Sequence, residues 1–251
     1  FTLVQPGMAD DCRLKSDVAR AMAQAALLGL DPAGHRGVLA MGSSYLASLV
    51  APCPALEAPA IAEFQRRPHR ALTSDPLHTF SGSMMFPAHL DLQYGKDWPA
   101  KVWTSLYAFS AQATAPGEIL WQNEPDFFDT LRLATNANGS TADELFLQFA
   151  IARAFVAPPT NQSSFPNLGY TGALGDVRRD WRVPITALPL RLAPSHPVQA
   201  TGAAYIQVDI PPGHKGGLRL TADWESGLLM RWAVVKRDAA GHEILRHTAP
   251  G

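Results

Sequence analysis

At Ala157 the hydrophobic period of this chain changes, and that change limits the possible folds more than any other feature. Up to residue 156 apolar residues recur at helical spacing, whereas after residue 170 they come in short β-rich runs separated by turn signals. Between them lies "APPTNQSSFPNLG", a proline, asparagine and serine run that neither a helix nor a strand accommodates. The expected architecture is α+β in two domains: an all-α unit over residues 1–156, a linker over 157–169, and a small antiparallel β-sandwich over 170–251.

Within the first part, Ser16 is a plausible N-cap before Val18, Ala21, Met22, Ala25 and Leu28, a run that Gly29 and Asp31-Pro32 close. Val38, Met41, Tyr45, Leu46 and Leu49 form a second stripe, stopped by Pro52 and Pro54, and a short helix over Leu56–Gln65 follows. Met84–Tyr94 reads as the next helix, Trp98 and Pro99 open another, and Pro125 is placed as a first-turn proline before "DFFDTLRLAT". Thr141 and Glu144 make a capping box ahead of Leu145, Phe149, Ala152 and Phe155. The clusters Trp98/Trp103/Tyr107 and Trp121/Phe127/Phe128 read as core.

The 251 residues are 47% hydrophobic, enough for a proper core, and 21 basic against 22 acidic residues leave a formal net charge of −1. That balance gives no footprint for nucleic acid or an anionic membrane. The longest apolar runs fall well short of the roughly 20 residues a bilayer span needs. Two cysteines, Cys12 and Cys53, lack Cys-x-x-Cys spacing, which fits one disulfide, with two buried free thiols as the other reading. A disulfide would point to an extracellular, cell-surface or periplasmic protein. The opening "FTLVQPGMADDC" has neither an initiator Met nor a signal-peptide pattern, so a processed chain or a piece of a longer one is expected.

"GHEILRH" is not a zinc motif: His242 and His247 are five apart and diverge on a helix, where His-Glu-x-x-His needs a spacing of four. The bland reading is a hairpin strand after the turn "DAAG". "AMGSSYLA" lacks Gly-x-Ser-x-Gly and its strand-to-helix turn, so Ser43 and Ser44 read as small residues between helices.

The order of several segments resembles gluzincin-type zinc peptidases. "LEAPAIAEF" is similar to their glutamate helix, "SGSMMFPAHLDLQYG" to the small-residue helix ending in Tyr-Gly, and "STADELFLQFAIARAFV" to the helix closing the catalytic domain. The resemblance implies that Met41, Gly42 and Tyr45 stand where the first histidine, general base and second histidine would be, with Glu57 as third ligand. A thioether and a phenol are poor zinc ligands, and glycine cannot deprotonate a metal-bound water. The resemblance therefore implies a dead scaffold: no cofactor, no catalysis, and a binding or structural role toward a protein or peptide partner. The alternative is an active metal-dependent hydrolase built around His69, His78 and Glu63.

Overall fold

A computed structural model describes residues 12–74, 81–115, 118–121, 126–155, 174–187, 189–223, 227–228 and 230–249, with side chains of 108–121 set aside. The expected linker 157–169 lies outside the described residues. The fold is mixed α+β: seven α-helices and three two-stranded sheets among the described residues.

Helix α1 (Cys12–Leu30) starts one turn earlier than Ser16 suggests; Ser16 is buried inside it. The extra turn places Cys12 against Cys53, and the two are joined in a disulfide with a Cα–Cα distance of 5.3 Å. Closing a loop of 41 residues removes disorder from the unfolded chain worth about 4 kcal/mol. Helix α2 (Arg36–Val50) folds back on α1 after a five-residue turn. His35 caps it, Nδ1 accepting from the Gly37 amide at 3.0 Å, and Pro52 forces Ala51 out of helical backbone. Small residues dominate its middle, so nine of its residues are buried and the helix sits centrally.

Helix α3 (Pro54–Arg66) opens on a first-position proline and packs against the 3₁₀ turn Gly82–Met84, which leads into α4 (Met85–Tyr94). Helix α5 (Trp98–Ser110) runs into a hairpin, β1 (Ala111–Ala115) paired antiparallel with β2 (Glu118–Trp121), inside the stretch expected to be helical. In α5, Trp98 and Trp103 are core as expected, whereas Tyr107 is exposed. Helix α6 (Phe127–Ala137) is capped by Asp126, whose carboxylate accepts from the amides of Phe128 and Asp129; Pro125 lies outside the described residues. Helix α7 (Ala142–Arg153) has half of the expected capping box: Thr141 accepts from the Glu144 amide at 3.2 Å, but the Glu144 carboxylate binds Gln148 instead.

Aromatic edges and faces join these helices. Phe86 on α4 stacks on Phe146 and meets Phe149 edge-on, both on α7, and Phe149 also faces Phe64 of α3. Arg153, 2% exposed, lies over the Phe64 ring and donates to Gln65 Oε1 and the Phe64 carbonyl, each at 2.9 Å. Gln65 donates in return to the Arg153 carbonyl. The buried guanidinium thus ties the ends of α3 and α7 with polar groups and a ring face.

Residues from 174 onward are stitched to the same end of α3. Leu174 joins the helical core, the Arg178 amide donates to the Gln65 carbonyl, and Tyr205 donates its hydroxyl to the Ala150 carbonyl. Gln199 and Ala203 donate to the carbonyls of His69 and Pro68, while Thr201 accepts from the Leu72 amide. Thr201 takes φ 63°, rare for a β-branched residue, and Gly202 presses its Cα on His69 so closely that a Cβ would stand 2.4 Å from that carbonyl oxygen.

Strand β3 (Trp181–Pro184) pairs with β4 (Ile206–Asp209) in parallel, a departure from the antiparallel order expected here. "ITALPLRL" begins as a 3₁₀ turn, Ile185–Ala187, and "GGLRLTAD" is irregular, because prolines and glycines interrupt both. Strands β5 (Trp232–Arg237) and β6 (Glu243–Ala249) form the expected hairpin around "DAAG", with Asp238 accepting from the His242 amide.

Candidate functional site

Met41 is fully buried and Tyr45 nearly so, on the face of α2 that the core covers. A Cβ on Gly42 would lie 2.6 Å from the Trp103 ring and 2.9 Å from Leu27, so glycine is what lets α1, α2 and α5 meet. The Tyr45 hydroxyl makes no hydrogen bond of good geometry, yet burial and then the neighbouring Asp91 carboxylate on α4 push its phenol well above the usual range. Glu57 points back to the start of its own helix: Oε1 accepts from the Cys53 amide at 3.1 Å, and Oε2 is buried without a partner. Burial raises its carboxyl, the Cys53 bond opposing. The positions that the peptidase likeness singles out are thus turned toward different neighbours: Gly42 toward Trp103, Tyr45 toward Asp91, Glu57 toward Cys53. Among the described residues no group of three or more His, Cys, Asp or Glu side chains is arranged to hold a metal ion.

His78 lies outside the described residues. Glu63 is held by two arginines, Arg66 at 3.0 Å and Arg67 at 2.7 Å. His69 stacks on His196, ring centres 4.5 Å apart. Burial, then His196, Arg178 and Arg70, lower its pKa against the opposing pull of Asp180. A carboxylate already paired to guanidinium groups and an imidazole amid positive charge make poor surroundings for a cation.

Charged side chains gather at the same end of α3. A cleft of about 720 Å³ is lined by Arg66, Arg67, Arg178, Arg179 and Arg182, with Glu63, Asp176 and Val177 between them. Two sequence segments supply it: "EFQRR" at the end of α3 and "DVRRDWR" over residues 176–182, joined by the Arg178 amide on the Gln65 carbonyl. The last turn of α3 suits arginines because its free carbonyls carry partial negative charge. Arg182 donates to Asp209 at 2.6 Å and holds that carboxyl below its usual range, with Gln207 helping. Arg179 stands 4.0 Å from Asp176.

Beside the cleft, Asp180, Ser195 and His196 form a knot with Arg178. Ser195 donates its hydroxyl proton to Asp180, while Arg178 reaches Ser195 Oγ and His196 Nδ1, both at 2.9 Å. This is not a hydrolytic triad. The serine proton already belongs to a carboxylate, and the imidazole nitrogen facing it is engaged by a cation, so neither group is free to activate the hydroxyl. What the knot does is fix the direction of Arg178.

Sequence reasoning missed this cleft because net charge averages over the chain. The signal that would have found it is local: two arginine-rich segments, "EFQRR" and "DVRRDWR", more than a hundred residues apart in the chain. No protein-family model, curated protein or solved structure matches this chain.

Proposed function

We propose that the protein is a non-catalytic, exported binding protein on a peptidase-like helical scaffold, with the hairpin β5–β6 as part of a sandwich module. One observation carries this reading: the Met41–Tyr45 segment is sealed in the core, with the general-base position filled to contact by Trp103 and Leu27. Hydrolysis needs a substrate and a water at that place, and the packing leaves room for neither. The disulfide supports an oxidising compartment, the cell surface or periplasm included. A protein or peptide is the class of partner this reading takes. The pairing of Glu63 with Arg66 and Arg67 favours binding over a hydrolase at His69 and Glu63.

Metal analysis of protein purified in zinc-containing buffer and then desalted tests the reading, together with hydrolysis of a mixed peptide library. The expected outcome is substoichiometric zinc and no cleavage. A tightly held stoichiometric zinc, or peptide cleavage that a chelator abolishes, overturns it.

A further inference from the structure

The geometry points to the arginine-lined cleft at the α3 seam as a binding site for an acidic peptide segment, which deepens the reading of a peptide-binding protein and rests on it. Five arginines and two carboxylates line one cleft in a chain whose formal net charge is −1. The fold brings them there: Arg66 and Arg67 come from a helix end, and Arg178, Arg179 and Arg182 from a segment more than a hundred residues later. Gathering like charges costs repulsion, and here the carboxylates offset only part of it. Glu63 serves both Arg66 and Arg67, Asp209 pairs with Arg182 at 2.6 Å, and Arg178 and Arg179 have Asp180 and Asp176 only at 3.9 Å and 4.0 Å, so four carboxylates face five arginines. Arg66 and Arg182 each give one nitrogen to a carboxylate, Glu63 and Asp209, yet keep 70% and 69% of their side-chain surface in solvent, so the rest of each fork stays accessible to a second carboxylate.

Two features select the ligand class. The lining has a single non-ionic residue, Val177, and no aromatic ring on which a base would stack. The interleaved Glu63 and Asp176 repel a uniformly charged polymer such as a nucleic-acid or sulfated-glycan chain, whereas a peptide sets its carboxylates singly and leaves gaps opposite them. The volume, about 720 Å³, lies in the range of small-ligand clefts and admits a short extended segment.

Fluorescence anisotropy with a labelled hexaglutamate peptide and the full chain tests this. Binding is expected at low ionic strength and weakens roughly tenfold between about 50 and about 200 mM salt. The double variant Arg66→Gln/Arg182→Gln is expected to lose about tenfold in affinity, whereas Arg20→Gln/Arg132→Gln removes the same charge from α1 and α6 and leaves binding unchanged. Should the first variant fail to fold, phenylglyoxal modification of the native chain reads the same claim, as protection of Arg66 and Arg182 by the peptide. Absence of binding at low salt overturns the proposal, as do equal losses in both double variants or unprotected arginines. Tighter binding of a charge-matched oligothymidylate or of inorganic phosphate overturns the ligand class. Zinc content and cleavage assays on the same preparation report separately on the non-catalytic reading, so failure of either claim is recognised apart from the other.

Discussion

The middle of α2 and the cleft at the end of α3 are opposites. Residues 41–45 look like chemistry in the sequence and are packed away, whereas "QRRPHR" and "DVRRDWR" look like ordinary solvated charge and are drawn together at the surface. The difference teaches that motif likeness reports ancestry or coincidence in side-chain order, while function needs room. Met41 and Tyr45 have no solvent to share with a substrate; Arg66 and Arg182 do.

The largest effect that would break this comparison comes from Gly42→Glu. Helix propensity favours the change by about 1 kcal/mol. Against it, a side chain forced into Trp103 and Leu27 costs roughly 2 kcal/mol, and an unpaired carboxylate in the core roughly 3 more. The net loss of about 4 kcal/mol is expected as a large drop in the urea midpoint. A variant that restores Met41→His, Gly42→Glu and Tyr45→His would therefore fail at Gly42 before it could hold zinc. Wild-type stability for Gly42→Glu would mean that the segment is open after all.

Much of the helical part was legible because its apolar residues repeat at a fixed spacing and its boundaries carry caps. Val38, Met41 and Tyr45 of the α2 stripe, the Pro52/Pro54 stop and the Thr141 cap express local chemistry that the fold keeps, whereas Leu49 of α2 and Val18, Met22 and Leu28 of α1, read as apolar stripes, are exposed. Illegible were the features made by distant partners: Arg153 buried between Phe64 and Phe149, the hairpin β1–β2 within a helical stretch, and the parallel pairing of β3 with β4 across more than twenty residues. An arginine in a helix reads as solvent-facing until the ring that covers it is known. The buried positions of α2 were legible as apolar, yet their closure was not, since only Leu27 and Trp103 together reveal it. The cleft follows the same rule: each half is visible alone, and the two meet through contacts between distant residues such as the Arg178 to Gln65 bond.

A second, smaller effect separates the two regions by pH. His89 on α4 is buried against Phe149, and burial lowers its pKa to about 4 from an ordinary value near 6.5. As the pH falls, the unfolded chain takes up this proton first. The stabilisation by a neutral folded imidazole is therefore complete above about 6.5 and is lost as pH falls toward about 4, a change of about 3 kcal/mol. Glu57 and Asp31 act in the opposite sense, because burial raises both carboxyls and protonation relieves them. Comparing wild type with His89→Leu isolates the histidine: the variant is expected to lose less stability between pH 7 and pH 4.5 in urea titrations. His69, stacked on His196, is also lowered, but it is half-buried and solvent screens it, so His69→Gln should leave the pH slope nearly unchanged. Equal slopes for wild type and His89→Leu would remove the contrast.

The smallest effect sharpens the comparison from the cleft's side, in the segment that helps position Arg178. Gly202 rests on the backbone of His69, and a Cβ there would stand 2.4 Å from the His69 carbonyl oxygen, 2.8 Å from its carbon and 2.9 Å from the Gln199 carbonyl oxygen. All three are backbone atoms, so no flexible side-chain end can give way. Gly202→Ala is expected to cost about 2 kcal/mol, less than Gly42→Glu because it adds no buried charge. The strain falls on the bonds from Gln199 to His69 and from Ala203 to Pro68, which hold the segment bearing Ser195, His196 and through them Arg178. Amides of residues 199 and 203 should exchange faster in the variant, with those of α2 protected as before. Gly217→Ala, at a position with open space around it, is the control and should change stability by less than about 0.5 kcal/mol. If exchange rises equally in α2 and at the seam, the two regions unfold as one unit, and the cleft is as much a part of the core as Met41 is.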